Sequence, residues 1–294
     1  MIDAVSLQAL LFVPGDSRRK IAKAVGAGIG CVILDLEDAV APVAKAGARA
    51  AVREQLDGAR TSRLCVRINA ADSEWHLDDL VAIGAGRPDA IMLPKCTGPA
   101  DVARLADQLA VIEVAYGIAI GTIAIIPLVT ETAASLRQLD YRAVTARLCA
   151  LGFAAEDLAS DLGVAPRDRS GAMNPLVASA RLLVAMAARE AGVPAIDTPF
   201  PDPGDAAGLT REAADAAALG YAGKMCIHPA QVPLVRHAFT PDPDQLRWAR
   251  AVRAAFAAAP DAGVTTLDGR MIDKAHLRLA ERRLAMTDAD GGDA

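Results

Sequence analysis

Aromatic side chains make up only 3% of the 294 residues, and histidine occurs four times. So few rings, with a net charge of −5, leave little for base stacking or phosphate tracking, so nucleic acid is not an expected partner. Cysteine is scarce and odd in number: Cys31, Cys65, Cys96, Cys149 and Cys226 lie in or beside apolar runs, with no C-x-x-C pair. That argues against a disulfide framework and predicts free thiols in a reducing cytoplasm, acting as small hydrophobes. No membrane span is expected, because the longest apolar stretch, Val114 to Val129, is broken by Gly117, Gly121 and Pro127. Nor is a secretory leader expected, since the first apolar run is short and the basic Arg18, Arg19 and Lys20 follow it. A G-x-G-x-x-G loop is also missing: the first turn reads Val13-Pro14-Gly15-Asp16-Ser17, which disfavours an open dinucleotide-binding sheet.

What the chain does have is eight short apolar runs that end in polar or turn-forming residues. They are Ala9 to Val13, Cys31 to Leu34, Leu64 to Ile68, Ala90 to Leu93, Ile123 to Val129, Arg147 to Phe153, Val193 to Ile196 and Lys224 to Ile227. Between them lie alanine-rich segments with helical spacing: Arg19 to Ala27, Val43 to Leu56, Ala100 to Leu109, Thr132 to Leu139, Pro175 to Ala191 and Thr210 to Leu219. Alternation of strand and helix implies parallel strands with right-handed crossovers, and eight of them predict a closed (β/α)8 TIM barrel over residues 1–238. Residues 239–286 read as a C-terminal helical segment, which the family resemblance given below makes a lid. It comprises a helix from Asp244 to about Ala258 capped by Asp242 or Asp244, a short strand with a turn at Asp268-Gly269, and a helix from Lys274 to Met286. Its apolar content is too low to predict a core of its own, so packing on the barrel or on another subunit is expected. Residues 287–294 read as a disordered tail.

In a barrel of this kind the downstream strand ends share one face, and functional side chains gather there. Glu131 and Asp157 follow successive strands, which would bring two carboxylates near enough to share a Mg²⁺ ion. The plainer alternative is that both are acids favoured at helix N-termini. Asp161, one turn beyond, reads as a polar support. Arg67, flanked by apolar Val66 and Ile68, should point into the barrel mouth, either to grip a carboxylate or enolate oxygen or to pair with Asp35, Glu37 or Asp38. Those three acids read as partners that orient the arginine or metal-bound water. Lys95 has two readings, a Schiff-base lysine and a salt-bridge partner, and the acid-rich surroundings favour the second. His228 reads as an acid-base group or, more plainly, as a hydrogen bonder at a barrel end. Arg18, Arg19 and Lys20 read as a solvated helix face, with Arg18 and Lys20 the candidates to hold an anionic carrier.

Several of these segments form an ordered set: Leu11-Phe12-Val13-Pro14-Gly15-Asp16, Asp35-Leu36-Glu37-Asp38-Ala39-Val40, Arg67-Ile68-Asn69, Met92-Leu93-Pro94-Lys95, Glu131-Thr132-Ala133, Gly152-Phe153-Ala154-Ala155-Glu156-Asp157-Leu158, Ala195-Ile196-Asp197, Gly223-Lys224 with Ile227-His228-Pro229, and Asp268-Gly269-Arg270-Met271-Ile272-Asp273. From about Leu10 to Met286 the chain thereby resembles the citrate lyase β-subunit-like group of HpcH/HpaI-type aldolases, which includes malyl-CoA and citramalyl-CoA lyases. The resemblance implies a Mg²⁺-dependent barrel working as a homotrimer or a pair of trimers, with Glu131 and Asp157 as metal ligands. It implies that Arg67, with Glu131 and Asn69, binds substrate, and that Asp273 is an acid-base residue on a lid reaching a neighbouring subunit's site. The chain departs from many relatives at Gln8-Ala9, where an arginine is common, and at Cys96-Thr97-Gly98, where an acid is common.

The expected reaction is cleavage of a 3-hydroxy-3-carboxy acyl thioester, of the malyl-CoA, citramalyl-CoA or citryl type, into an acyl-CoA and a 2-oxo acid. For Asp273 to deliver a proton there, its pKa should be raised by burial under the closed lid. The rival readings are a class II aldolase acting on a free hydroxy-oxo acid and a catalytically idle barrel subunit.

Overall fold

The computed structural model of the chain describes residues 2–287. Eight parallel strands follow one another around a barrel: β1 (Ala9–Pro14), β2 (Cys31–Asp35), β3 (Arg63–Arg67), β4 (Ala90–Leu93), β5 (Ala124–Pro127), β6 (Leu151–Gly152), β7 (Ala195–Asp197) and β8 (Gly223–Cys226). The ladder runs β5-β4-β3-β2-β1-β8-β7-β6, and single parallel bridges from Ile125 to Leu148 and from Leu128 to Gly152 close it between β5 and β6. That seam is the thinnest, held by Ile125 N–H on the Arg147 carbonyl at 2.8 Å and Val129 N–H on that of Gly152 at 3.0 Å.

The two-residue period of the strands sorts side chains into two compartments. Leu10, Cys31, Ile33, Cys65, Met92, Ile126 and Met225 fill the barrel interior. Their neighbours Leu11, Val32, Leu34, Leu64, Val66 and Ile91 face outward into a layer shared with the helices. Asp35 and Arg67, paired in register, have the inward parity and stand at the downstream end.

The surrounding helices are α1 (Arg18–Gly26), α2 (Lys45–Asp57), α3 (His76–Gly84), α4 (Pro99–Ala115), α5 (Ala155–Asp161), α6 (Pro175–Ala191), α7 (Ala206–Ala218) and α8 (Gln231–Phe239). Three of these, α3, α5 and α8, are not foreseen by the spacing of apolar residues. Conversely, the helix expected over Thr132 to Leu139 is only a 3₁₀ turn at Ser135–Arg137. The Ser135 hydroxyl donates to the Thr132 carbonyl at 2.6 Å, so the side chain competes for an acceptor that a continuing helix would use.

Beyond α8, α9 (Pro243–Ala257), the antiparallel pair β9 (Val264–Leu267) and β10 (Arg270–Asp273), and α10 (Lys274–Ala285) form a compact unit. Asp242, not Asp244, caps α9, in a reciprocal arrangement with Gln245. Against expectation, this unit has a small core of its own: Ala249, Val252, Phe256, Ile272, Ala280 and Leu284 are buried together. Alanine at the crossing of α9 and α10 permits close approach, so few large side chains are needed, and Lys274 over Phe256 and Arg283 over Trp248 cover the rings at 4.9 and 5.0 Å. Met286, one residue past α10, packs against the barrel's outer core layer. The expected tail falls almost entirely on residues 288–294, which lie outside the described residues. Among the described residues no helix is long and apolar enough to cross a membrane.

At the start of β8, a Cβ on Gly223 would lie 1.7 Å from the Leu7 carbonyl oxygen and 2.8 Å from that of Gln8, and backbone cannot yield as a side chain can. Gly223→Ala should therefore lower the unfolding free energy in urea by about 3 kcal/mol or leave the chain unfolded. Gly47→Ala, where a Cβ meets nothing within 4 Å, should be neutral or stabilising by about 0.5 kcal/mol.

Candidate active site

Arg67 ends β3 and lies across the mouth. Its Nε and Nη2 donate to the two oxygens of Asp35 at 2.8 and 2.7 Å, and its guanidinium stacks on Phe12 at 4.8 Å. Nη1 comes within 3.0 Å of Glu37 Oε2 but is not aligned to donate, which leaves that buried oxygen without a hydrogen bond. Of five guanidinium N–H groups Asp35 uses two, so Arg67 is fixed in place and still has donors for a ligand. Lys95 Nζ donates to Glu37 Oε1 at 2.6 Å, while Asp38, more exposed, stands 3.7 Å from the same ammonium. Burial works against the charged lysine, but the Glu37 hydrogen bond with the charges of Glu37, Asp38 and Glu131 holds its pKa above the ordinary value. A protonated, paired Lys95 is a salt-bridge lysine rather than a Schiff-base nucleophile.

Beneath this ring lies a buried polar brace that sequence reasoning missed. Lys45 Nζ donates to the carbonyls of Leu36 and Glu37 at 2.7 and 2.8 Å and to Asn69 Oδ1 at 2.7 Å. Asn69 Nδ2 donates in turn to the Leu36 carbonyl and to Asp79 Oδ2, and Asp79 also accepts from Arg49 Nε at 2.7 Å. His76 bridges the Asn69 carbonyl and Gln108. Asn69, expected at the substrate, is thus buried with its side chain engaged, holding the ends of β2 and β3 together. A signal for Lys45 existed: it shares the buried stripe of α2 with Ala48, Val52 and Leu56, and a lysine on an apolar helix face requires internal acceptors.

On the other side of the mouth, Glu131 follows β5 and is only 3% exposed. Its Oε2 accepts the backbone N–H of Lys95, whereas Oε1 is buried without any partner. Burial pushes its pKa up to about 8; the Lys95 N–H opposes this, and the nearby charges of Glu37 and Asp157 add to it. Asp157 sits in the first turn of α5. The start of α5 is held between two strand ends, with Ala154 N–H on Thr130 Oγ1 and Ala155 N–H on Thr198 Oγ1, both at 3.0 Å. Asp161 accepts Ala133 N–H at 2.7 Å and ties the Glu131 loop to the same helix, a support as its position suggests. Among the described residues no group of three or more His, Cys, Asp or Glu is arranged to hold an ion. The pair offers two carboxylates, one with a dehydrated free oxygen, and a cation there would offset the burial, and with it the repulsion, that raise Glu131.

The remaining candidates lie apart from this cluster. Asp273 caps α10, accepting Ala275 N–H at 2.9 Å and contacting His276 Nδ1 at 2.8 Å. The His276 side chain first, then the backbone N–H groups, hold its carboxyl below the usual range. The expected raised pKa is therefore not found in the single chain, where this residue is only partly buried. Arg18 pairs with Glu54 at 2.9 Å on the surface, and Lys20 is exposed on the same turn of α1. His228 accepts Ala230 N–H at 3.2 Å in an exposed turn.

The Glu131 shift has a stability consequence of definite sign. In the metal-free chain the folded carboxyl keeps its proton to about pH 8, while the unfolded one releases it near its ordinary value, so the folded state binds more protons in between. Urea unfolding in a chelator should show stability falling by a few kcal/mol, on the order set by the shift, between about pH 4.5 and 8. The difference between wild type and Glu131→Gln isolates this contribution, and a flat difference would contradict the dehydrated placement of Glu131.

Comparison with known proteins agrees with the barrel fold. The sequence model of the family described as HpcH/HpaI aldolase/citrate lyase matches residues 8–229. A citrate lyase subunit beta-like protein of Mycobacterium tuberculosis is 36% identical over 278 residues, 93% of each chain. The mitochondrial citramalyl-CoA lyase of Rattus norvegicus is 32% identical, covering 94% of this chain and 85% of that protein. The crystal structure of CitE from Mycobacterium tuberculosis, in complex with magnesium, acetoacetate and coenzyme A, superposes with a TM-score of 0.76 at 33% identity, over 96% of this chain and 98% of that one. With the barrel, the acidic mouth and a family match over most of its length, the chain belongs to the HpcH/HpaI aldolase/citrate lyase family.

Proposed function

We propose that this chain is a Mg²⁺-dependent carbon-carbon lyase that cleaves a 3-hydroxy-3-carboxy acyl thioester into an acyl thioester and a 2-oxo acid. The observation that carries the reading is the buried, unpartnered Oε1 of Glu131 near Asp157 and across the mouth from Arg67. The donor set fits Mg²⁺, a hard ion that takes a few protein oxygens and leaves its other positions to water and substrate. Glu131 and Asp157 would hold it, and when bound it supplies Lewis-acid polarisation of the substrate's hydroxyl and carboxylate oxygens. The relatives point to the same chemistry: one is a citramalyl-CoA lyase, and CitE binds magnesium together with coenzyme A.

The chain's own residues account for the rest. The hydroxyl proton passes to solvent water, the oxygen's electron pair forms the carbonyl of the 2-oxo acid, and the bond between the hydroxyl-bearing carbon and the carbon next to the thioester breaks, its electron pair becoming a thioester enolate. Arg67, held by Asp35 and Phe12, presents its remaining N–H donors to the enolate oxygen, where negative charge develops. Lys95 and Glu37 brace the guanidinium from behind, and the Lys45 and Asn69 brace keeps the ends of β2 and β3 in register. Asp273 of a neighbouring copy in a homotrimer or pair of trimers exchanges the proton at the enolate carbon. As an α10 cap it is held ionised, ready to accept a proton in the condensing direction, and in the cleaving direction burial against another copy must raise it. Arg18 and Lys20, on the mouth side of α1, are the proposed contacts for the anionic carrier.

A panel of coenzyme A thioesters and the corresponding free hydroxy acids, assayed for 2-oxo acid release, tests the reading. Glu131→Ala and Asp157→Ala should each lose about a thousandfold or more in kcat and no longer give heat on Mg²⁺ titration. Chelator-insensitive turnover, or equal turnover of the free acids, would overturn the proposal. Asp273→Ala should lose cleavage while still binding Mg²⁺. Mixing it with Glu131→Ala chains should restore part of the activity, and failure of that complementation would confine Asp273 to its capping role.

A further inference from the structure

We infer that Lys95 is a positioning residue that sets the Glu131 carboxylate through its own backbone, and that its left-handed conformation, more than its ammonium, is what the site requires here. The inference rests on the lyase reading above, in which Glu131 holds the metal. β4 ends in Leu93, and a turn through Pro94 and Lys95 follows directly. Lys95 has φ +49°, one of only four non-glycine residues with positive φ among those described. Proline followed by a residue at positive φ is the order of a type II turn, whose third position glycine or asparagine ordinarily takes. A lysine held there is in a conformation that costs free energy and persists only when its surroundings demand it.

The demand is visible across the sheet. Leu93 and Pro127 are in register, so the turn after β4 faces the segment after β5 that carries Glu131. The turn aims the Lys95 N–H at Glu131 Oε2, which accepts it. With that oxygen occupied, the carboxylate is fixed in rotation and Oε1 alone is left free in the buried mouth. A residue 95 at negative φ would favour the flipped central peptide of a type I turn, which turns its N–H away and lets Glu131 rotate. The side chain performs a separate task, pairing with Glu37 at 2.6 Å, and the two can be separated by mutation.

Lys95→Gly and Lys95→Val both remove the ammonium, but glycine adopts positive φ freely and a β-branched residue resists it. Mg²⁺ titration by calorimetry should find Lys95→Gly binding as tightly as wild type or tighter, since one cation fewer stands beside the two acids. Lys95→Val should bind about tenfold more weakly than Lys95→Gly, with Lys95→Ala about threefold weaker, the comparison that serves if the valine chain does not fold. In metal-free crystals Glu131 Oε2 should remain on the residue 95 N–H in the glycine variant and leave it in the valine or alanine variant. Equal affinities for glycine and its valine or alanine counterpart, or an unmoved Glu131, would overturn the inference. A wild-type chain giving no heat with Mg²⁺ would overturn the proposed function instead, and the crystal comparison would still decide the positioning role.

Discussion

The structure is organised around one dehydrated carboxylate. Glu131 is buried at the mouth with an oxygen that nothing satisfies, and Glu37 is buried across from it with its own pKa raised, burial being the main cause. Two acids in such a place repel each other and lack water, so the fold must surround them with fixed cations. Arg67 and Lys95 stand against Glu37 itself, and Lys45 holds the carbonyls of the turn that carries it. These neighbours leave the second oxygen of Glu131 unsatisfied, and an unsatisfied buried acceptor is an expensive feature that a bound cation would turn into a useful one.

The barrel supplies this arrangement by keeping structural and functional charge apart. Inward parity carries Asp35 and Arg67 to the mouth, whereas Asp197 and Lys224, paired in register, belong to the layer between strands and helices. There Lys224 joins Asp197 and Glu212 at 2.6 and 2.8 Å, and Arg181 completes the group on Asp197 at 2.7 Å. These buried pairs satisfy one another and hold α6 and α7 to the wall, leaving nothing over for a ligand. The contrast with Glu131 is physical: one set of buried charges is closed and the other is left open. The open set flanks the thin seam between β5 and β6, where short pairing frees the chain for the loops that carry Glu131 and Asp157.

The C-terminal unit adds a second scale of organisation. Its small alanine-lined core lets it hold its shape with limited support from the barrel, and Asp273 sits at the junction of β10 and α10, outside that core. Within a single chain this half-buried carboxylate is held below the usual carboxylate range by its own cap. In the proposed mechanism another copy would have to change its surroundings.

Much of this was legible in the sequence because strand and helix periods are local properties. The eight runs lie within a few residues of the observed strands, the parity of Arg67 between Val66 and Ile68 foretold its direction, and the order of polar residues at strand ends placed Glu131 and Asp157 on one face. Where local chemistry competed with the pattern, as at the Ser135 hydroxyl, the reading of a helix failed. Long-range contacts decided the rest. No local rule tells a chain that Lys45 will meet Asn69 and the β2 turn, that Lys95 will bend into a left-handed turn for Glu131, or that two alanines will let α9 and α10 close on each other. Nor could it show that Asp273 is ionised by its own cap. The sequence by itself determined the barrel and which side chains reach its mouth, since both follow from alternation along each strand. Only the tertiary structure decided which of those groups are satisfied and which are left open, because satisfaction depends on partners brought together by folding.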